Sequence, residues 1–155
     1  MPARLHIDKL LKQAIAVKSA ADPKPELEII DADLMVFANP ARLERVLGHV
    51  IQNAVEATPK DGRVSVRLLK WRDEVVVECT DTGTGMDEEF IRERLFKPFE
   101  STKSAGMGIG VFESREYIQE LGGRIEVQSQ KPGGTTFRII LPLLSRDELI
   151  VSQAA

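Results

Sequence analysis

This sequence has little of what builds covalent or metal scaffolds. One cysteine and two histidines in 155 residues exclude an internal disulfide and a cysteine-rich zinc site. Cys79 closes the mostly apolar run Val75–Cys79 and reads as a small buried hydrophobe. Positive charge is not in excess. Lys and Arg total 21 against 24 Asp and Glu, for a net charge of -3 and a pI near 5.5, which argues against nucleic-acid binding driven by phosphate contacts. Long apolar runs are missing too, since none approaches the roughly 20 residues needed to span a bilayer. The opening residues lack the pattern of a signal peptide. The expectation is a cytoplasmic piece without membrane contact of its own, which could belong to a longer membrane protein. Repeats and low-complexity tracts are absent as well. What is present, 43% hydrophobic and 29% charged residues, suits one globular domain with a real core.

Periodicity predicts the order of elements. Residues 6–21 read as a helix on the spacing of Leu10, Leu11, Ala14, Ile15 and Val17, broken by Asp22-Pro23-Lys24-Pro25. Strand-like runs follow at 27–30 and 34–38. Asn39 is expected to cap, and Pro40 to open, a helix reaching about Thr58. Its inward stripe would be Leu43, Val46, Leu47, Val50, Ala54 and Ala57. Val64, Val66 and Leu68 alternate with Ser65 and Arg67 as a half-buried strand, and residues 74–81 return after an Arg72-Asp73 turn. Next come a short helix over about 87–95, a loop over 96–107 and a helix over 109–121 stopped by Gly122-Gly123. Strands at 124–130 and 135–141 form a last hairpin, and the chain beyond Pro142 is expected to fray. The sum is an α+β two-layer sandwich, a mixed and mainly antiparallel sheet with helices on one face.

Three glycine-bearing or helix-borne signals fall in order on this frame. Asn53 lies beside the apolar stripe of its helix, where a neutral amide can offer magnesium an oxygen without adding charge near phosphates. The plainer reading is a helix-edge asparagine. Glu56, one turn on, could hold a metal-bound water or be a solvated acid. Asp81 ends an apolar strand before Thr82-Gly83-Thr84-Gly85-Met86. A carboxylate there can accept the exocyclic amine of adenine, while Gly83 and Gly85 allow positive φ and close backbone approach. An ordinary strand-ending turn is the alternative. Gly106-Met107-Gly108-Ile109-Gly110 precedes a helix, whose N-terminal N–H groups favour phosphate. No Gly-Lys-Ser/Thr follows and no strand precedes it, so neither a Walker loop nor a dinucleotide fingerprint is present. Ser101-Thr102-Lys103-Ser104 supplies a candidate mobile cation upstream, and Phe96-Lys97-Pro98-Phe99 could anchor a lid by packing its aromatics.

In combination these residues resemble the ATP-binding catalytic domain of bacterial sensor histidine kinases, within the superfamily shared with gyrase, Hsp90 and MutL. The match covers residues 5–143, so the domain is taken as 1–143 with 144–155 as a tail. On the resemblance, Asn53 stands at the N-box asparagine and Asp81–Gly85 at the first glycine box. Phe96–Phe99 stands at the F box, and Gly106–Gly110 at the second glycine box. Gly133-Gly134-Thr135-Thr136-Phe137 looks like the closing glycine-threonine strand, with either Thr135 or Thr136 near adenine. The resemblance implies the Bergerat fold, with ATP and Mg2+ as cofactors. It implies transfer of the γ-phosphate to a histidine on a dimerisation and phosphoacceptor domain, and then to a response regulator. Implied nucleotide contacts are Asn53, Asp81, Gly83, Gly85, Met86, Phe99, Thr102, Lys103, the run Gly106, Met107, Gly108, Ile109 and Gly110, and Thr135 or Thr136. His49, Asn53 and Lys103 are the implied catalytic groups, with Asn53 and Glu56 toward the metal.

Two departures qualify the match. Many histidine kinases carry a second asparagine four residues before the first, where this chain has His49. ATP-hydrolysing relatives carry a glutamate base there. His49 could ligate magnesium, act as a weak base or merely hydrogen-bond, with a polar structural or phosphate-proximal role expected, and the missing glutamate argues against a dedicated ATPase. The phosphoacceptor hairpin is also missing, and His6, followed by Ile7, has no preceding helix. The expectation is a monomeric catalytic domain that binds ATP without phosphorylating itself. Rival readings are a gyrase- or Hsp90-type ATPase, a serine kinase of the anti-sigma class, and a nucleotide-binding pseudokinase module.

Overall fold

The computed structural model describes residues 2–18, 21, 23–83, 105–129 and 133–144, with the backbone alone over 105–112. In order these are β1 (Ala3–His6), α1 (Ile7–Ala16), β2 (Glu26–Ile29), β3 (Met35–Ala38), α2 (Pro40–Ala57), β4 (Val64–Trp71), β5 (Glu74–Asp81), α3 (Ala105–Glu120), β6 (Arg124–Ser129) and β7 (Thr135–Pro142). Five strands form the main sheet in the order β2-β4-β5-β7-β6. β2 runs parallel to β4 and the other pairs are antiparallel. The described helices pack on one face, so the expected two-layer sandwich holds.

The sheet alternates as a half-buried surface must. Val64, Val66 and Leu68 of β4 face the helices, with Val75, Val77 and Cys79 of β5 and Phe137, Ile139 and Leu141 of β7. The hairpin turn runs through Arg72 at φ 56. On the opposite face the register aligns a row of alternating charge. Arg67 bonds Glu28 at 3.1 Å and Glu78 at 3.2 Å, and Arg138 bonds Glu78 at 2.7 Å and Gln128 at 3.2 Å. Exposed pairs of this kind contribute at most about 1 kcal/mol each. Their effect is to keep that face wet and its register specified. Cys79 is fully enclosed, and burial pushes its thiol up to about 12, which fits its reading as a core hydrophobe.

α2 matches its sequence signals closely. The Asn39 side chain accepts the Arg42 N–H at 3.2 Å, and Pro40 opens the first turn. Leu43, Val46, Leu47, Val50 and Ala54 are buried, joined by Ile51 and Val55. Ala57 corrects the expected stripe, because it is exposed. Thr58 turns inward in its place, with its hydroxyl donating to the Ala54 carbonyl at 2.6 Å. α3 ends as expected. Gly122 adopts φ 85, its N–H bonds Gln119 O at 3.0 Å, and Gly123 N–H bonds Ile118 O at 2.9 Å, a Schellman stop.

Three expectations differ at their ends. The first helix is not 6–21 but Ile7–Ala16, because residues 3–6 are a strand paired with β3 from Ala3↔Ala38 to His6↔Met35. That pair is a separate two-stranded sheet rather than part of the main one. α1 stops early, and the residue that follows it, Val17, is 75% exposed. α3 starts at Ala105, four residues ahead of the expected 109. The chain beyond Pro142 is held for two residues, since Leu143 N bonds Asp73 O at 3.0 Å and Leu144 N bonds Met35 O at 2.9 Å. The expected helix at 87–95 lies outside the described residues.

Candidate nucleotide site

The buried face of the sheet changes character at one end. Three rows of aliphatic and aromatic side chains give way to a fourth made of Val64, Asp81, Thr135 and Ser129, neighbours across β4, β5, β7 and β6. Asp81 is 3% exposed, and its carboxylate accepts the Gly83 N–H at 2.8 Å. Burial pushes its pKa up, against the opposing hydrogen bonds from the Gly83 and Thr135 backbones. No cation among the described residues contributes to that balance. A carboxylate held this way is an acceptor waiting for a neutral donor, because burying an unpaired charge is costly.

The chain is fitted tightly around Asp81. A Cβ on Gly83 would lie 2.2 Å from the Ala57 carbonyl oxygen at the end of α2, and one on Gly134 would lie 1.9 Å from the Asp81 carbonyl oxygen. Neither glycine adopts a left-handed φ. Gly83 therefore serves close backbone approach rather than the positive φ expected of it. In the sequence Gly134 is marked only by its turn and by the resemblance to the closing glycine-threonine strand. Its role follows from register, which places it where β7 meets the end of β5.

The same register separates the two threonines. Thr135 pairs with Asp81, is 5% exposed and shares a 2.6 Å hydrogen bond with the Ser129 hydroxyl. Thr136 turns to the open face and bonds Thr80 at 3.1 Å. Of the two, Thr135 is the one brought together with Asp81. Ser129 was not picked out from sequence, and only its pairing with Thr135 marks it.

Asn53 is 7% exposed, and its amide nitrogen is buried without a hydrogen-bond partner among the described residues. Leaving such a group unpaired costs roughly 1–3 kcal/mol, and the exchange of amide oxygen and nitrogen is open at such a site. Glu56 is not brought to it. Glu56 is exposed and accepts from Gln52 at 3.1 Å, while Gln52 accepts from Lys18 at 2.7 Å, a chain along the solvent side of α2. No group of three His, Cys, Asp or Glu residues forms a metal cluster among the described residues. One neutral amide with substrate phosphates and waters is a donor set that magnesium accepts, so Asn53 fits that ion and Glu56 does not.

α3 lies antiparallel to α2. Tyr117 sits by Asn39 and Arg42. One to two turns along, His49 and Val46 share a cleft of about 190 Å³ with Glu113 and Ser114. Continued one turn further, this stagger brings Asn53 level with the backbone of Gly106–Gly110. The glycine run lies inside the first turns of α3 and not before them. That corrects the loop expected there. The leading N–H groups of the helix lack intrahelical partners, but those of Ile109 and Gly110 are used within it. His49 lines the cleft half-buried. Burial lowers its pKa, Glu113 raises it, and Arg45 and Lys18 lower it further. The imidazole is thus neutral at pH 7, a polar group rather than a charge. Gly85, Met86, Phe96–Phe99, Thr102 and Lys103 lie outside the described residues.

Comparison with known proteins places this geometry. Residues 38–145 match the model of the histidine kinase-, DNA gyrase B-, and HSP90-like ATPase family. The chain is 30% identical over 148 residues to sporulation kinase E of Bacillus subtilis, covering 92% of this chain and 20% of that protein. It is 38% identical over 117 residues to the C4-dicarboxylate transport sensor protein DctB of Rhizobium meliloti, covering 74% and 18%. The chain thus spans about a fifth of the length of these relatives. The catalytic domain of histidine kinase ThkA superimposes with a TM-score of 0.81 at 26% identity, covering 92% of this chain and 95% of that one. ThkA in complex with response regulator protein TrrA gives 0.77 at 25% identity, covering 91% and 41%.

Proposed function

The chain belongs to the histidine kinase-, DNA gyrase B-, and HSP90-like ATPase family, as the ATP-binding catalytic domain of a sensor histidine kinase, and from that premise we propose how its residues handle the nucleotide. Asp81 accepts the exocyclic amine of adenine, with Thr135 beside it on β7. The N-terminal N–H groups of α3, from Ala105 to Gly108, face the phosphates across from Asn53, and Lys103 reaches the terminal phosphate. The Asn53 amide would hold magnesium, which would supply charge neutralisation for the phosphates. His49 is a neutral polar group on the phosphate side. Catalysis by these residues is positioning and electrostatics. The observation that carries the reading is a pair of buried polar groups, a carboxylate held by backbone N–H groups with no cation beside it among the described residues, and an amide nitrogen with no partner among them.

The acceptor is a histidine on a dimerisation and phosphoacceptor domain of the same full-length kinase. A nitrogen–phosphorus bond forms there, the bond from the γ-phosphorus to the ADP oxygen breaks, and the imidazole N–H proton leaves. A response regulator aspartate receives the phosphoryl group next. No helix among the described residues is long and apolar enough to cross a membrane. We read the domain as the cytoplasmic part of a membrane-anchored sensor kinase. At a finer level, Gly48–Ala54 with Phe96–Phe99 and Gly106–Gly110 resembles the PEP-CTERM-system sensor kinase PrsK, and the family placement does not depend on that likeness.

Asn53→Ala tests the metal role. Removing an unpartnered buried amide is expected to leave fold stability unchanged or raised. Nucleotide affinity without magnesium should match the parent, and the gain on adding magnesium should vanish. A magnesium response equal to the parent's would remove Asn53 from the metal site.

A further inference from the structure

α3 holds one half of the site with its weakest half. Three of the six residues Ala105–Gly110 are glycine, each about 1 kcal/mol less favourable than alanine within a helix and each without a side chain to pack. The position of this segment must be set by the rest of α3. There Ser114, Tyr117 and Ile118 are 1%, 5% and 0% exposed. The Tyr117 hydroxyl accepts the Asn39 backbone N–H at 2.8 Å, at the cap of α2. The Arg42 guanidinium lies 4.0 Å from the centre of the Tyr117 ring and donates to Glu120 at 3.2 Å. One polar node thus ties the start of α2 to the end of α3. The groups it serves, Asn53 and the glycine run, lie at the other end of the same antiparallel pair.

We infer that Tyr117 and Arg42 are positioning residues for the phosphate half of the nucleotide site, acting as the pivot that fixes α3 against α2. The inference rests on the ATP-site reading above. Asp81 and Thr135 belong to the sheet and do not depend on the pivot. Loosening α3 should therefore weaken contacts to the outer phosphates and spare the adenine end. A purely structural role for the node would lower stability and leave affinity unchanged in the folded protein, or would weaken all nucleotides alike.

The test is calorimetric titration of the chain with AMP, ADP and ATP in magnesium, at a temperature where circular dichroism shows each variant folded. Tyr117→Phe removes only the hydroxyl that holds Asn39. Arg42→Met keeps the apolar stem over the ring and removes the guanidinium. Each should weaken ATP by about five- to tenfold, the order of one lost hydrogen bond, and leave AMP unchanged. Equal losses for AMP and ATP, or no loss for either, would overturn the positioning role. If the parent chain itself fails to bind ATP, the pocket reading falls and the pivot with it. If the parent binds and the variants match it, only the pivot falls.

Discussion

Asp81→Asn should abolish ATP binding while leaving the domain folded, and at neutral pH more stable than its parent. The amide keeps an oxygen for the Gly83 N–H, which donates to Asp81 at 2.8 Å. It also turns one acceptor into a donor, which meets the adenine amine with the wrong polarity. Leaving a buried group unpaired there is expected to weaken binding by at least about a hundredfold. The stability half follows from the charge. Burial raises the Asp81 pKa, so the folded state binds its proton more tightly than the unfolded chain. Such a group favours folding below the unfolded carboxylate pKa, and that benefit is lost as pH rises through the folded value. The variant lacks this term. Its melting temperature relative to the parent should rise with pH across the acid range and then level. Unchanged ATP affinity would sink the adenine assignment. A melting difference that shrinks as pH rises would contradict the buried-charge account.

Gly134→Ala should damage fold and site together. The added methyl would sit 1.9 Å from the Asp81 carbonyl oxygen, which is backbone at the end of the β5–β7 pairing and has no side-chain freedom to yield. Overpacking of this kind costs roughly 3 kcal/mol, or about 6–12 °C in Tm for a chain of this size. Relief of the clash moves β7 away from Asp81, so surviving folded protein should bind ATP poorly. Gly48→Ala is the control, since nothing lies within 4 Å of its added Cβ, and alanine there should hold or raise stability. Thermal melts of both variants decide the point. A Gly134→Ala melt equal to the parent's would mean that the strand pairing is looser than described.

Legibility in the sequence followed the range of the forces involved. α2 was readable because Asn39, Pro40 and the apolar stripe act within one helix. The two hairpins were readable because alternation and turn residues are local as well. β1 was not, because its four residues become a strand only by pairing with β3, some thirty residues on, and Leu10 to Val17 pull the helical pattern back over them. The start of α3 was missed because glycines read as loop. Packing of Tyr117 and Ile118 overrides that propensity. The choice between Thr135 and Thr136 is a one-residue register question, and strand pairing across β5 answers it. Glu56 has helical spacing from Asn53, but Gln52 captures it on the solvent side. The candidate carboxylate and amide, Asp81 and Asn53, were both legible, because each sits where an apolar pattern should continue and does not.

The central claim is that this domain holds ATP through Asp81 and Asn53. Isothermal titration of the chain with ATP, with and without magnesium, tests it most directly. The account predicts saturable binding to a single site, strengthened by magnesium. No heat of binding in the presence of magnesium, from a chain shown to be folded, would contradict it.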